Sequence, residues 1–431
     1  MAAPFSQTFI WRTISNASFR RIHFNKHVGL QFSNANPLKV QRSHYLTRCP
    51  SFKSLLNAKS RYFYLRACGL NQSSRVGGQE FSRSTISVLY IAKVGVALTA
   101  TCLIGFGLVK SDWNRFKVIA EGRERLHAIK PSRNVQVDTD KSGLKLTLFQ
   151  YQTCPFCCKV RAVLDYHGFS YDVIEVNSVT KKQLKWSDYQ KVPIVIVELP
   201  GSDQEVVIKD SSVIISVLES YLHDNAASIP QLCSYYPCLT ENEGRRKKYD
   251  FQNKYFIMFP RTVDLNHTVE ERSEERKWRK WADDHLVHML SPNAYRTVKE
   301  SLQAFQYFSA VGQWEQNFSF LERYVVIYIG AAVMYVMGMI LKNKYKLKED
   351  VRESLYDACN EWVKAVGKER VFMGGDQPNL ADLAVYGILN SIEGCTAFQD
   401  ALQNTKIGSW YYRTKAAVNS HQGAHQLNSS S

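Results

Sequence analysis

The chain has 431 residues, 45% hydrophobic and 12% aromatic, with 55 Lys and Arg against 39 Asp and Glu, a formal charge of +16. That length predicts two or three folded units with sizeable cores, and 22 Gly and 12 Pro without an internal repeat exclude collagen-like, low-complexity and solenoid chains. The excess charge is local: 12 Lys and Arg fall in residues 1–79, which hold no acid, so the rest of the chain is nearly balanced and does not read as a nucleic-acid binder.

Residues 1–85 form a basic, Ser-rich leader with the composition of an organelle-targeting segment, RNA binding by this arm being the weaker reading. Residues 86–109 are apolar apart from Lys93, and Lys110, Arg115 and Lys117 follow. As a helix this stretch rises about 36 Å, enough to span a bilayer, with Lys93 able to snorkel. It reads as a single membrane anchor, followed by a linker over 110–142. The 10 cysteines are not spaced as a disulfide framework. Cys154, Cys157 and Cys158 crowd together while the others scatter, as suits a reducing compartment, and no second Cys or His pair lies at zinc-ligand spacing.

From Gly143 the pattern spells a βαβ unit. Leu144, Leu146 and Leu148 alternate as in a strand, the chain turns through Thr153–Cys157, and Val160, Val163, Leu164 and His167 then make a helix face that Gly168 ends. Further strands fit Tyr171–Val176, Ile194–Leu199 and Glu205–Lys209, and a helix capped by Asp210 or Ser211 buries Val213, Ile214, Val217, Leu218 and Tyr221. A cysteine at the strand-to-helix junction points its sulfur at unpaired backbone N–H groups, which favour the thiolate. Pro155 suits the first helical position, and Lys159 and Arg161 add positive potential. Cys154 is therefore the reactive thiol expected, Cys157 a resolving or packing thiol one turn in, and Cys158 structural.

Cys154-Pro155-Phe156-Cys157, Val192-Pro193 and Asp210-Ser211 together resemble the glutathione-binding half of the glutaredoxin and glutathione transferase folds. The fold class this implies is an α/β thioredoxin-like (glutaredoxin-type) domain over 143–223 followed by an all-α glutathione transferase-like domain over 274–415. The resemblance also implies a cis Pro193, a Val192 backbone that pairs with glutathione, and an Asp210-Ser211 pair that holds its γ-glutamyl end. An ordinary helix cap is the plainer reading of that pair, and the two are compatible. Tyr151-Gln152-Thr153 before Cys154, Lys159-Val160-Arg161-Ala162, Lys191-Val192-Pro193-Ile194, Asp210 to Ile215, Lys277 to Asp284, Ser291 to Thr297, Phe372 to Gly375 and Leu380 to Ala384 more closely resemble the type 2 membrane-associated prostaglandin E synthases, over roughly Gly143 to Tyr412.

Between the two domains, residues 224–273 mix Pro230, Pro237 and Pro260 with the charge run Glu241 to Lys248 and read as a linker or irregular subdomain. Beyond it Trp278, Trp281, Leu286 and Met289 share overlapping helix faces, the tryptophans reading as core. Asp284, His285 and His288 could meet a metal, but a solvated or hydrogen-bonded role is the better reading because a third firm ligand is missing. Tyr324–Leu341 is uncharged and long enough to span a membrane, yet the resemblance implies a helix buried in its domain or shared between subunits. Asn379 and Asp382 read as a capping box, and 416–431 as a disordered tail.

The resemblance implies an isomerase converting prostaglandin H2 to prostaglandin E2, with Cys154 as catalytic thiol, Tyr151 orienting the sulfur or the substrate, and Phe156 giving apolar contact. It implies glutathione held by Cys154, Phe156, Val192, Pro193, Asp210 and Ser211, and a haem reached through the glutathione thiol, a form that instead degrades prostaglandin H2. A homodimer and a Golgi membrane address with a released cytosolic form follow from the same source, whereas the leader's composition points to the mitochondrion. The alternatives are a glutathione-dependent thiol-disulfide oxidoreductase using Cys154 and Cys157, and a non-catalytic membrane-bound carrier of glutathione or haem.

Overall fold

The structure, a computed structural model, describes residues 129–178, 180–199, 204–243, 246–260 and 268–424. The leader, the anchor, most of the following linker and the end of the tail lie outside the described residues.

The first unit is a five-stranded mixed sheet in the order β1-β3-β2-β4-β5, made of β1 (Arg133–Val135), β2 (Lys145–Gln150), β3 (Tyr171–Glu175), β4 (Ile194–Glu198) and β5 (Glu205–Lys209). Only β2 and β3 are parallel, joined by helix α1 (Pro155–His167) as the βαβ pattern requires, while β4 and β5 follow as antiparallel neighbours. Pro155 opens α1, and Gly168 ends it at φ 70° with its N–H on the carbonyls of Leu164 and Asp165. Helix α2 (Ser211–His223) follows β5, with the Asp210 carboxylate accepting the N–H groups of Ser212 and Val213. Leu146, Leu148, Val160, Leu164, Val195 and Val217 are fully or almost fully buried between sheet and helices. The edge strand β1 is too short to leave a periodicity in the sequence.

The described residues of 224–273 are more ordered than a linker. They carry α3 (Ile229–Ser234) and a hairpin of β6 (Cys238–Glu243) and β7 (Arg246–Phe251). The charge run that suggested irregular chain is the end of this hairpin. Its strands stand largely in solvent, so their polar side chains conceal the period; Tyr249 and Phe251, two residues apart, share the face that meets Tyr189.

The helical unit comprises α4 (Val269–Trp281), α5 (Val287–Ala294), α6 (Val298–Val311), α7 (Trp314–Asn317), α8 (Phe320–Lys344), α9 (Val351–Val366), α10 (Leu380–Asn390), α11 (Thr396–Asn404) and α12 (Ile407–Asn419). A π-helical turn, Ala282–Leu286, joins α4 to α5. Trp278 and Trp362 are core side chains, Trp281 is half-buried against them, and Trp410 completes the cluster. The capping box at α10 forms as the sequence predicts, and buried Asp382 does more than cap. It accepts N–H groups from Met373 (2.9 Å), Gly374 (3.0 Å) and Asn379 (3.1 Å) and the indole of Trp410 (2.8 Å). Helix α8 is buried on one face only, through Val326, Ile327, Ala331, Met334 and Leu341. Its other face exposes Phe320, Leu321, Tyr324, Ile329 and Ile340. Among the described residues it is the one helix long and apolar enough to cross a membrane.

Helix α1 is the seam between the units. At Gly387 of α10 a Cβ would stand 2.6 Å from the Lys159 Cα and 2.8 Å from the Cys158 carbonyl oxygen, so glycine lets α10 lie directly on the backbone of α1.

Candidate active site

Cys154 sits at the N-cap of α1 with extended backbone (φ −74°, ψ 124°), its sulfur beside the first turn of N–H groups. The Cys157 thiol donates to it, the backbone N–H groups of Cys157 and Phe156 add to this, and Arg161 contributes positive potential; together they outweigh burial and hold the Cys154 thiol below its ordinary pKa. Cys157 is fully buried and is pushed well above the ordinary range by that burial and by its donation to Cys154. Cys158 is structural, as its position suggests. Burial pushes it up to about 11, and it lies between the Arg161 guanidinium (3.1 Å) and the Gln152 carbonyl (3.4 Å).

Arg161 does what the sequence suggested for the thiol; Lys159 does not. Lys159 turns from the sulfur into the seam, where it pairs with Asp283 at 2.6 Å, both side chains almost wholly buried. Asp283 also accepts the hydroxyls of Ser212 (2.7 Å) and Tyr255 (3.0 Å). Burial opposes ionisation of both partners and pulls the Lys159 ammonium below its ordinary pKa, while Lys159 and these donors hold the Asp283 carboxyl below its own.

Tyr151 stands at the end of β2, and burial first, then the neighbouring sulfur Cys154, raises its pKa, so its hydroxyl stays protonated. The Val192-Pro193 bond is cis. Asp210 adopts φ 71°; one carboxylate oxygen caps α2 and the other lies 3.9 Å from the Lys254 ammonium. Ser211 is buried beside it.

All seven residues expected from the sequence (Tyr151, Cys154, Phe156, Val192, Pro193, Asp210 and Ser211) line one cavity of about 690 Å³. Its other walls were not anticipated. The hairpin and the turn after it contribute Tyr249, Phe251, Lys254 and Tyr255, and the helical unit contributes Leu290, Phe308, Leu341 and Ile392. The Tyr249-Asp250-Phe251 alternation is the signal that could have marked the hairpin. Of the three residues weighed as metal ligands, Asp284 and His288 reach the cavity, but Asp284 pairs with Lys280 and His288 stacks on Tyr345 at 4.0 Å. His285 packs on Trp281. The cavity thus offers an electron-rich sulfur with a protonated phenol lining the same space, polar groups at the cis-proline and α2, and from the helical unit both apolar side chains and the charged Lys280, Asp283 and Asp284. That is the shape of a site for an amphiphilic reactant.

Residues 146–198 match the glutaredoxin family model. The chain is similar to prostaglandin E synthase 2 of Danio rerio, 45% identical over 295 residues covering 68% of this chain and 75% of that one. It is similar to prostaglandin E synthase 2 of Mus musculus at 44% over 292 residues, 67% of this chain and 74% of that one. Among solved structures it is similar to glutathione transferase F7 from Populus trichocarpa, at 11% identity and a TM-score of 0.36, over 66% of this chain and 99% of that one.

Proposed function

The chain belongs to the prostaglandin E synthase 2 family, and from that premise we propose that its cavity isomerises prostaglandin H2 to prostaglandin E2 at the Cys154 sulfur, with glutathione bound alongside. The observation that carries the assignment of the site is the Cys154 sulfur at the N-cap of α1, its pKa lowered there, in the wall of a cavity that also holds apolar side chains.

Isomerisation of an endoperoxide moves no electrons to or from a second molecule. One ring carbon loses its hydrogen as a proton, the C–H pair becomes the second C–O bond of a ketone, and the O–O pair leaves on the other oxygen, which takes a proton to become a hydroxyl. The Cys154 thiolate is the base that accepts the carbon-bound proton. The protonated Tyr151 hydroxyl, kept neutral by burial, is the donor for the departing oxygen, and the proton on sulfur returns to Tyr151 through the product hydroxyl or water. Phe156 and the helical wall hold the hydrocarbon arms. The cis Val192-Pro193 turn and the Asp210-Ser211 helix start suit the peptide backbone and γ-glutamyl end of glutathione, because a helix N-terminus receives a carboxylate readily.

The side chains do not supply a ready haem ligand. The cavity's imidazole, His288, is stacked on Tyr345, and the Cys154 sulfur is already engaged by Cys157. A membrane anchor over 86–109, a homodimer and a Golgi address with a released cytosolic form complete the proposal; sedimentation of the full chain in detergent and imaging of a fusion carrying residues 1–120, with the mitochondrion as the competing address, test them.

Product analysis with prostaglandin H2 tests the reaction. Cys154→Ser abolishes formation of prostaglandin E2, Tyr151→Phe lowers it about 10²-fold, and Cys157→Ser leaves turnover present with a less acidic Cys154. If instead Cys157→Ser removes the activity while a glutathione-disulfide exchange assay responds to both cysteines, the protein is a dithiol oxidoreductase. If no variant changes the products, it is a carrier.

A further inference from the structure

We infer that the site has a second activity, reduction of the endoperoxide to its ring diol, in which Cys157 resolves the oxidised Cys154 sulfur and glutathione is the reductant. The inference rests on the proposed reading of the cavity and gives a role to a thiol that isomerisation does not use.

Cys157 lies one turn into α1, fully buried, and does not line the cavity, so a reactant there meets Cys154 and not Cys157. Both are free thiols. The partners of Cys157 are all on the reacting side: its thiol donates to the Cys154 sulfur, and the Tyr151 backbone N–H donates to it in turn. Both sulfurs also act on the Tyr151 hydroxyl, so the phenol and the two thiols form one cluster at the end of β2. Cys158 is not part of it, being held between the Arg161 guanidinium and the Gln152 carbonyl.

A thiolate beside an O–O bond has two reactions open to it. Taking the carbon-bound proton isomerises the reactant; attacking an oxygen oxidises the sulfur. In the second, the Cys154 sulfur bonds to one peroxide oxygen, the O–O bond breaks, and the other oxygen takes the Tyr151 proton to become a hydroxyl. The tyrosinate so formed removes the Cys157 proton. The Cys157 sulfur then attacks that of Cys154, the disulfide forms, the S–O bond breaks, and the second oxygen leaves as a hydroxyl with a proton from Tyr151, which recovers its own from water. The two thiols lose two electrons and the endoperoxide gains them. Because the sulfurs are already in contact, this resolution is intramolecular and outruns capture of the S–O intermediate by dissolved glutathione. Regeneration runs through Cys154, the sulfur of the pair that lines the cavity. One glutathione thiolate attacks it, Cys157 leaves and is protonated, and a second glutathione releases glutathione disulfide and restores the Cys154 thiolate.

The test gives prostaglandin H2 to the full chain in detergent without glutathione, and follows prostaglandin E2, the ring diol and the cysteines by mass spectrometry. The parent protein is expected to form diol above a protein-free blank, up to one per chain, and to show a Cys154–Cys157 disulfide in peptide maps. Cys157→Ser forms about tenfold less diol and retains the reactant as an adduct on Cys154. With glutathione added, the parent protein turns over repeatedly and releases one glutathione disulfide for each diol. The inference is overturned if the parent protein forms no diol above the blank, if the disulfide maps to Cys158, or if Cys157→Ser forms as much diol as the parent. Prostaglandin E2 with neither diol nor disulfide removes this inference alone and leaves the proposed function standing. Diol and disulfide without prostaglandin E2 remove the proposed isomerisation and leave the reduction.

Discussion

Arg161 carries a full charge into the layer beneath the nucleophile. Its guanidinium donates to the Gln152 carbonyl at 2.7 Å and to the Gln150 side chain, and Glu175, the nearby counter-charge, receives the Gln152 N–H at 2.7 Å and the Gln150 amide at 3.1 Å. The loop between Tyr151 and Cys154 is thereby fixed from below, and the charge acts on the sulfur without touching the reactant. Arg161 is a positioning residue. Removing it as Arg161→Met raises the pH midpoint of Cys154 alkylation by iodoacetamide by about one unit, because the thiolate loses a stabilising charge; turnover at neutral pH falls with the thiolate fraction. Arg161→Met combined with Glu175→Gln keeps the raised midpoint while recovering stability, since no carboxylate is then left buried without its partner. A midpoint unchanged in both variants contradicts this role. At this scale the sequence was informative about Cys154, where Pro155 and the strand-to-helix junction announce the chemistry. It was misleading about Lys159, because an ammonium on a flexible stem can turn either way and only the fold brings Asp283 to it.

Among the elements, β2, α1, β3 and α2 were legible because each has one buried face, with Gly168 and Asp210 as end signals. The hairpin, the π-helical turn and the open face of α8 were not. The hairpin's strands are solvated, the π turn interrupts a helical pattern too locally to shift its period, and an apolar helix reads the same whether one or both faces are covered. The packing of α1 on α2 makes the fold sensitive to acid. Glu219 of α2 is buried 3.0 Å from His167 Nε2 and 3.6 Å from His223 Nε2. Burial opposes its ionisation, but the two imidazoles outweigh it, the His167 interaction most, and hold its pKa at about 2. A depressed carboxylate stabilises the fold above its unfolded pKa of about 4.3 and loses that contribution as pH falls towards the folded value. A tenfold change in acidity is worth about 1.4 kcal/mol, so the ceiling on this contribution is about 3 kcal/mol. Glu219→Gln is expected to flatten the acid limb of chemical-denaturation stability between about pH 4 and pH 2; an acid limb as steep as that of the parent protein contradicts it.

Across the whole molecule, the glutaredoxin-type unit and the helical unit share one cavity, so the catalytic geometry depends on how firmly the seam holds. Asp283 lies at the centre of that seam, in the π turn, gathering Lys159 of α1, Ser212 of α2 and Tyr255 of the turn after the hairpin onto one carboxylate. A π-helical turn of this kind is frequent at functional sites. Asp283→Asn leaves the Lys159 ammonium buried without a counter-charge, an expected loss of about 3–5 kcal/mol, whereas the paired replacement Lys159→Met with Asp283→Leu removes both charges and recovers most of it. If the two units unfold as one cooperative body, Asp283→Asn shifts a single thermal transition downward; if the network only joins units that are stable alone, the transition splits and the helical part melts where it did before. Because Ser212 directly follows the Asp210-Ser211 helix start, the single variant is also expected to weaken glutathione binding more than the paired one, and calorimetry on both separates a loosened ligand pole from a general loss of stability.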